Sequence, residues 1–202
     1  MRLLVVAGFL GSGKTTLVLS LAKAAVRATL RVAVVVNEVG EVGIDGSVFR
    51  LGDLQVKEIT AGCICCQIGV DLVRTLVELD ETFAPDLVIV EASGIAAPAG
   101  VLDALRYYPA DKIAGISTVT LVDPLRFEAL YEVVTPLIEA QITGADVLVV
   151  TKKDQATATE LEYAVRMVGN AAPGVPLYVV DATSEENVDG IVAVLLANEQ
   201  AG

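Results

Sequence analysis

The sequence predicts an α/β fold in which a doubly wound, mostly parallel sheet lies between two helical layers, forming a three-layer α/β/α sandwich. Short apolar runs alternate with amphipathic stretches from end to end, as expected for repeated strand and helix units. These runs are separated by Gly, Asp and Pro, which favours buried parallel strands over membrane spans. Because 202 residues suffice for one well-buried domain and not for two, we expect a single domain over residues 1–202.

The predicted strands are short and apolar: Leu3–Ala7, Arg31–Val36, Leu87–Val90, Ser117–Val122, Val147–Val150 and Leu177–Val180. The predicted helices carry apolar residues at helical spacing: Lys14–Ala28, Val70–Phe83, Ala99–Arg106, Leu125–Tyr131, Thr159–Val168 and Val188–Leu196. The segment from residue 37 to residue 67 contains repeated glycines and only one weak extended stretch, Leu54–Ile59. We expect this segment to form functional loops.

The charge and the N-terminal sequence restrict the partners and the compartment. The formal net charge is −12, and the sequence lacks the Lys and Arg clusters that grip a nucleic-acid backbone, so we expect no nucleic-acid partner. Met1 and Arg2 lead directly into the first predicted strand, and no segment resembles a signal peptide or a membrane span. We therefore expect a cytoplasmic protein with no membrane partner.

The segment Gly8–Thr15 fits the phosphate-loop pattern G-x-x-x-x-G-K-(S/T) and lies between an apolar strand and an amphipathic helix. Its glycines allow a tight turn whose N–H groups converge on a β-phosphate, and the helix directs its positive end to the same point. Lys14 would reach the β- and γ-phosphates as a catalytic residue, Thr15 would ligate Mg²⁺, and Ser12 is counted among the phosphate-binding residues. The flanking strand and helix disfavour a chance match in a glycine-rich turn. We therefore predict nucleotide binding.

The run Asp86–Gly94 is an apolar strand that ends in a carboxylate and is followed by a glycine. A phosphate-loop NTPase keeps its second Mg²⁺ anchor at such a position, so Glu91 is a catalytic candidate, and Gly94 could donate its N–H to the γ-phosphate. A solvated acid at a strand end is the alternative. The acidic segment 37–45 follows the second strand, where segments that respond to a γ-phosphate lie. There, Asp45 is the candidate to contact Mg²⁺ or to orient the attacking water.

A second constellation follows the strand that ends at residue 150, where the sequence Thr-Lys-Lys-Asp resembles the guanine-recognition motif of GTPases. The Asp154 carboxylate can accept from guanine N1–H and the 2-amino group while the Lys152 stem lies along the base, which favours GTP over ATP. Thr151 stands where Asn is commoner, so we expect the loss of one hydrogen bond that holds this loop. The loop at Asp181 and Ala182 is placed to close over the base and could equally be a helix N-cap.

The three cysteines, Cys63, Cys65 and Cys66, lie within four residues after a glycine. Thiols at this spacing can converge on one soft divalent cation: Zn²⁺, or alternatively Co²⁺, Ni²⁺ or Fe²⁺. A tetrahedral Zn²⁺ needs a fourth donor. Because the sequence has no histidine, that donor would be a carboxylate such as Glu41, a water or a ligand from a client protein. A redox pair and buried small hydrophobes are the alternative roles for these thiols.

Five segments in this order, GFLGSGKTT, NEVGEVGID, GCICC, VEASGIAAP and QITGADVLVVTKKD, resemble the CobW-type branch of the CobW/HypB/UreG group of P-loop GTPases. The resemblance extends from Leu3 to about Asp154. It implies a SIMIBI-like P-loop NTPase fold and a GTPase metallochaperone. Such a protein binds Zn²⁺ or a related ion through its CxCC cysteines and uses GTP binding and hydrolysis to deliver the metal to a client.

Matching positions in this group imply roles for individual residues. Phosphate and Mg²⁺ binding is implied for Gly11, Gly13, Lys14, Thr15 and Thr16, γ-phosphate sensing for Glu91 and Gly94, guanine reading for Thr151, Lys152 and Asp154, and metal binding for Cys63, Cys65 and Cys66. Many members of the group carry a further C-terminal domain and histidine-rich segments. We expect this chain to lack such an accessory domain.

These observations predict a GTP-hydrolysing metal-insertion chaperone with slow intrinsic turnover. The cysteine loop would lie between two segments that sense the γ-phosphate, so the nucleotide state would alter metal affinity. The expected ligands are GTP or GDP, Mg²⁺ and a transition-metal ion, and the expected partners are a client metalloprotein and a second copy in a homodimer that depends on nucleotide or metal. The alternatives are a GTPase chaperone or reactivator of a corrinoid or other metalloenzyme system without metal delivery, a small-molecule phosphotransferase and a redox-controlled binding module.

Overall fold

The computed structural model describes residues 1–36, 53–58, 67–92, 98–181, 188 and 190–192. Its strands, in chain order, are β1 (Arg2–Gly8), β2 (Val32–Val36), β3 (Leu54–Glu58), β4 (Leu87–Glu91), β5 (Gly115–Val122), β6 (Val147–Val150) and β7 (Leu177–Val179). Its helices are α1 (Lys14–Arg27), α2 (Gln67–Thr82), α3 (Pro98–Leu105), α4 (Pro124–Thr143) and α5 (Ala158–Ala171), with a short 3₁₀ helix at Ala110–Lys112. Residues 188 and 190–192 are also helical.

The described strands form one seven-stranded sheet in the order β3-β2-β4-β1-β5-β6-β7, and all of their pairings are parallel. The predicted α/β fold with a mostly parallel sheet is therefore confirmed. The chain builds β2, β3 and β4 on one side of β1 and then crosses to build β5, β6 and β7 on the other. This change of direction places the loop after β1 at the switch point, where ligands of such sheets bind.

Alternate residues of β1 contact opposite helical layers because side chains alternate between the two faces of a strand. Leu4 and Val6 share one buried cluster with Leu17 of α1, whereas Leu3 and Val5 share another with side chains of α2 and α3. Helices α4 and α5 pack on β5 and β6 in a third cluster. The central strands are thus buried on both faces, and this is why continuous apolar runs encode them.

The edge strand β3 was predicted only as a weak extended segment, Leu54–Ile59. It pairs in parallel with β2 over its full length, from Leu54 opposite Val32 to Glu58 opposite Val36. Polar residues at alternate positions are tolerated at the edge of a sheet, and they weaken the apolar signal by which strands are recognised in a sequence.

Helix α4 is longer than the predicted Leu125–Tyr131, so that prediction was wrong in extent. The backbone departs from helical geometry at Val134, with φ of −132° and ψ of 37°, two residues before Pro136. A proline disrupts the preceding helical turn because its ring clashes there and it has no N–H to donate. The helix continues beyond the kink because Ile138 and Ile142 are buried against the sheet. None of the helices in the described ranges has the length and apolar character needed to cross a membrane.

Candidate nucleotide-binding site

The loop after β1 folds around Lys14, the residue predicted to bind phosphate. A Cβ atom on Gly8 would lie 2.6 Å from the Leu121 carbonyl oxygen, so glycine is required for this close approach of β1 to β5. Gly13 precedes α1 with φ of 87°. Lys14 is buried, with 4% of its surface exposed, and its ammonium group donates to the Phe9 carbonyl at 3.2 Å. The positive charge of Lys14 therefore lies within the loop.

Ser12 stabilises the loop from its buried side. Its backbone N–H donates to the Phe9 carbonyl at 3.1 Å, and its side chain is 1% exposed. The Ser12 hydroxyl has no hydrogen-bond partner among the described residues. Gly11 and Thr16, by contrast, are exposed. Phosphate binding by Gly11, Ser12 and Thr16 stays a prediction.

Two of the three predicted Mg²⁺ ligands, Thr15 and Glu91, meet beside this loop. The Thr15 hydroxyl, in the first turn of α1, donates to Oε1 of Glu91 at 2.9 Å. Glu91 ends β4 directly opposite Val6 of β1, and only 1% of its surface is exposed. The alternative of a solvated strand-end acid is therefore wrong. A hydroxyl and a carboxylate are the hard oxygen donors that Mg²⁺ prefers, so the pair fits that ion.

Thr151, which follows β6, is joined directly to the phosphate loop. Its hydroxyl lies 2.9 Å from the Ser12 carbonyl oxygen and 3.3 Å from the Val122 carbonyl oxygen, and it can donate to either. Threonine at this position thus holds the loop to the phosphate loop by its hydroxyl, and the loss of one hydrogen bond relative to asparagine stays a prediction. Parallel pairing brings the ends of β5 and β6 to the edge of the sheet where the loop lies, so the short side chain of Thr151 reaches it.

The rest of the predicted guanine-reading loop lies at the same edge. Lys152 adopts a positive φ of 53°, and its ammonium group donates to Oδ2 of Asp123 at 2.7 Å. Asp154 is exposed and forms no hydrogen bond or ion pair with any residue in the described ranges. The Lys153 N–H donates to the carbonyl of residue 180 at 3.3 Å, which brings the loop beside Asp181.

Two residues that sequence reasoning did not identify also contact these loops. Asp123 directly follows β5, is 6% exposed and caps α4 by accepting from the Leu125 N–H at 3.1 Å. Arg126, in the first turn of α4, donates from Nη1 to the Leu10 carbonyl at 3.1 Å. The sequence did carry a signal for this helix start. Asp123 separates an apolar strand from Pro124, and Asp at the N-cap followed by Pro at the first helical position is typical of the start of a helix.

The structure does not test several predicted site residues because they lie outside the described ranges. These residues are Glu41, Asp45, Cys63, Cys65, Cys66, Gly94 and Ala182. Their roles stay predictions. Within the described ranges, no group of three or more His, Cys, Asp or Glu residues is arranged to hold a metal ion.

Comparison with known proteins identifies the family of this chain. Residues 2–178 match the family described as CobW/HypB/UreG, nucleotide-binding domain. The chain is 35% identical over 155 residues to the zinc chaperone YeiR of Escherichia coli strain K12, a match that covers 75% of this chain and 46% of that protein. It is 31% identical over 187 residues to the zinc chaperone CobW of a Sinorhizobium species, covering 78% and 52%. The chain thus spans about half the length of these curated relatives.

A solved structure shares the fold at low sequence identity. The hydrogenase maturation factor HypB from Archaeoglobus fulgidus superimposes with a TM-score of 0.70 at 14% identity, covering 99% of this chain and 91% of that one. At this identity the likeness shows the fold alone. The arrangement of the sheet and its helices is therefore shared with that protein.

Proposed function

We propose a function from the premise that this chain belongs to the CobW/HypB/UreG family of P-loop GTPases, as its match over residues 2–178 shows. It is a GTP-hydrolysing metallochaperone that binds GTP and Mg²⁺ at the loop after β1. Its cargo is a divalent transition-metal ion, with Zn²⁺ as the first candidate, bound through Cys63, Cys65 and Cys66 and delivered to a client metalloprotein. Two relatives are named zinc chaperones, and this supports the choice of metal.

The contact between Thr15 and Glu91 is the observation that carries the GTPase part of this proposal. Two oxygen donors 2.9 Å apart, beside the phosphate loop, provide a hydroxyl and a carboxylate for one Mg²⁺. When bound, Mg²⁺ neutralises charge on the β- and γ-phosphates. Lys14 supplies a second positive charge from inside the loop, and its burial strengthens the attraction to phosphate because the local dielectric is low.

Guanine is the base that the Asp154 loop supports. The exposed Asp154 carboxylate is open to accept from the two donors on one edge of guanine, and adenine does not present that pair. The same loop is bonded to the phosphate loop through Thr151 and Ser12. Base and phosphates would therefore be held by two connected loops.

The three cysteines support transition-metal cargo by their chemistry and spacing. Thiolates are soft ligands that suit Zn²⁺ and related ions, whereas Mg²⁺ prefers oxygen. Thiols persist in the reducing cytoplasm, which is where we place the protein. The cysteine segment lies in sequence between β3 and α2, and α2 leads into the strand that ends at Glu91. Binding of Mg²⁺ and nucleotide beside Glu91 would in this way be connected to the segment that carries the three cysteines.

A titration of Zn²⁺ in two nucleotide states tests this coupling. The full chain, under reducing conditions, is titrated against a chelator of known affinity with either GDP or a non-hydrolysable GTP analogue. We expect Zn²⁺ affinities that differ by at least about fivefold, the lower end of common allosteric couplings. Cys65→Ser should abolish tight Zn²⁺ binding. Asp103→Asn, at an exposed carboxylate paired with Arg106, is the matched control and should leave it unchanged.

Each outcome bears on a separate part of the proposal. Equal Zn²⁺ affinities in the two nucleotide states overturn the coupling. Unchanged Zn²⁺ binding in Cys65→Ser overturns the cysteine site. Phosphate release from GTP without any acceptor molecule supports a GTPase and counts against a phosphotransferase, and no release in the presence of Mg²⁺ overturns GTP hydrolysis.

A further inference from the structure

Arg126 places a guanidinium group directly against the phosphate loop. Its Nη1 donates to the Leu10 carbonyl at 3.1 Å. The neighbouring loop residue, Gly11, has φ of 79°, and a Cβ atom there would lie 2.9 Å from the same nitrogen. The backbone conformation favours glycine at this position, and the guanidinium lies where a larger residue would place its Cβ atom. Arg126 therefore packs on the loop at two consecutive residues.

The charge of Arg126 is not neutralised within the described part of the chain. The side chain is exposed and forms no ion pair with any residue there. Three other cations lie in the described loops nearby: Lys152 is paired with Asp123, Lys14 is buried within the phosphate loop, and Lys153 is exposed in the loop after β6. In a protein of net charge −12, an unpaired arginine beside a phosphate loop calls for an anionic ligand. A nucleotide bound at the loop after β1 would provide such a ligand through its phosphates.

The backbone of Arg126 is held in place at the start of α4. It lies in the first turn of α4, whose N-cap Asp123 is nearly buried and is bonded both to the Leu125 N–H and to the Lys152 ammonium group. A long side chain on an anchored helix start can adjust its tip while its Cα stays fixed. The bond to Leu10 uses one of the five N–H donors of the guanidinium, so four remain for phosphate oxygens.

We propose that Arg126 is a catalytic arginine supplied in cis, which contacts the γ-phosphate and stabilises the charge that develops during GTP hydrolysis. This inference rests on the proposed GTPase function. In that reaction, a water oxygen bonds to the γ-phosphorus and the bond from this phosphorus to the β–γ bridging oxygen breaks, with its electron pair leaving on GDP. One water proton stays on the attacking oxygen and the other passes to a γ-phosphoryl oxygen, so both leave with inorganic phosphate. Phosphoryl-transfer enzymes stabilise the transition state mainly by positive charge held beside the transferred phosphoryl group.

Single-turnover hydrolysis of GTP by the full chain tests the role of Arg126. The variants are Arg126→Ala and Arg126→Lys, and the matched control is Arg106→Ala, at an exposed arginine that follows α3 and pairs with Asp103. We expect Arg126→Ala to slow hydrolysis by about 10³-fold, the lower end for arginine fingers, with GDP affinity within about threefold of wild type. Free guanidinium ion should restore part of the lost rate. Arg126→Lys should retain intermediate activity because it keeps the charge and loses the planar fork.

The outcomes separate a catalytic role from a structural one. A loss of tenfold or more that guanidinium partly restores, with GDP affinity retained, supports the proposal. A loss below tenfold, a parallel loss of GDP affinity, or no rescue by guanidinium overturns it. If Arg126→Ala does not fold, the same criteria apply to Arg126→Lys. Wild-type protein that does not hydrolyse GTP would instead contradict the proposed function, so the two failures are distinguishable.

Discussion

The Thr151 hydroxyl donates to the Ser12 carbonyl at 2.9 Å although 139 positions separate the two residues. Thr151 is 1% exposed, so this hydrogen bond is shielded from water. It joins the loop predicted to read guanine to the loop predicted to hold phosphate. Shielded bonds of this kind restrict the relative movement of the two loops, and a nucleotide that bridges them would find its site already arranged.

Thr151→Val should destabilise the protein and weaken nucleotide binding. Valine keeps the shape of threonine but removes the hydroxyl, so the Ser12 carbonyl loses a buried partner. We expect the free energy of unfolding to fall by about 1–2 kcal/mol in urea titrations, with weaker GDP binding by calorimetry. Thr151→Ser retains the hydroxyl and is the control, with a smaller loss. Equal stability of the valine variant and wild type would contradict a role for this bond.

The Lys152 to Asp123 ion pair should contribute measurable coupling energy. Only 4% of the Asp123 side chain and 26% of the Lys152 side chain are exposed, so solvent screens the pair less than a surface pair. A double-mutant cycle with Asp123→Asn and Lys152→Met should give a coupling of about 1–2 kcal/mol. Asparagine preserves the helix cap, so the cycle isolates the charge. The exposed Arg106 to Asp103 pair should give less than about 0.5 kcal/mol, and the same value for both pairs would refute the difference.

Asp154→Asn should change the base preference without changing the fold. An amide can donate where the carboxylate can only accept, so it suits the C2 carbonyl of xanthine and not the 2-amino group of guanine. We expect GDP affinity to fall by about 10²-fold or more and xanthosine diphosphate affinity to rise. Competition titrations with both nucleotides measure this. A variant that keeps its guanine preference would show that another residue reads the base.

Asp86 should make stability depend on pH in the acid range. The Arg31 backbone N–H donates to its Oδ2 at 2.8 Å, and this bond, with a smaller contribution from the Arg31 guanidinium, holds the pKa of Asp86 below its ordinary value of 3.8. A lowered pKa in the folded state means that the stabilisation is fully present above the ordinary value. It is lost as the pH falls below 3.8 and through the folded pKa.

Asp86→Asn should therefore reduce the free energy of unfolding at neutral pH by about 0.5–1 kcal/mol, a small value because the side chain is partly exposed. The difference from wild type should shrink as the pH falls below 3.8 and through the folded pKa, because Asp86 then loses its charge. Urea titrations across that range measure it. Arg31→Gln keeps the backbone bond, so it should cost less than Asp86→Asn. A difference that persists unchanged at low pH would contradict this account.

The strands and helices differ in how well local sequence patterns predicted them. The strands at the centre of the sheet were predicted because both of their faces are buried, so apolar runs encode them directly. The edge strand β3 was predicted only as a weak extended segment and the second half of α4 was not predicted, because burial on one face or beyond a proline leaves a weaker pattern. For α4, tertiary burial of Ile138 and Ile142 outweighs the local effect of Pro136.

The sequence by itself determined the phosphate loop and two candidate carboxylates, Glu91 at the end of β4 and Asp154 in the loop after β6. Glycine turns, converging N–H groups and a lysine at the helix start depend only on neighbouring residues, so eight positions suffice to specify them. Only the tertiary structure decided which distant side chains reach that loop. The contacts of Asp123 with Lys152 and of Arg126 with Leu10 join residues 29 and 116 positions apart. They depend on the order of β1, β5 and β6 and on where α4 begins, which packing of the whole sheet sets.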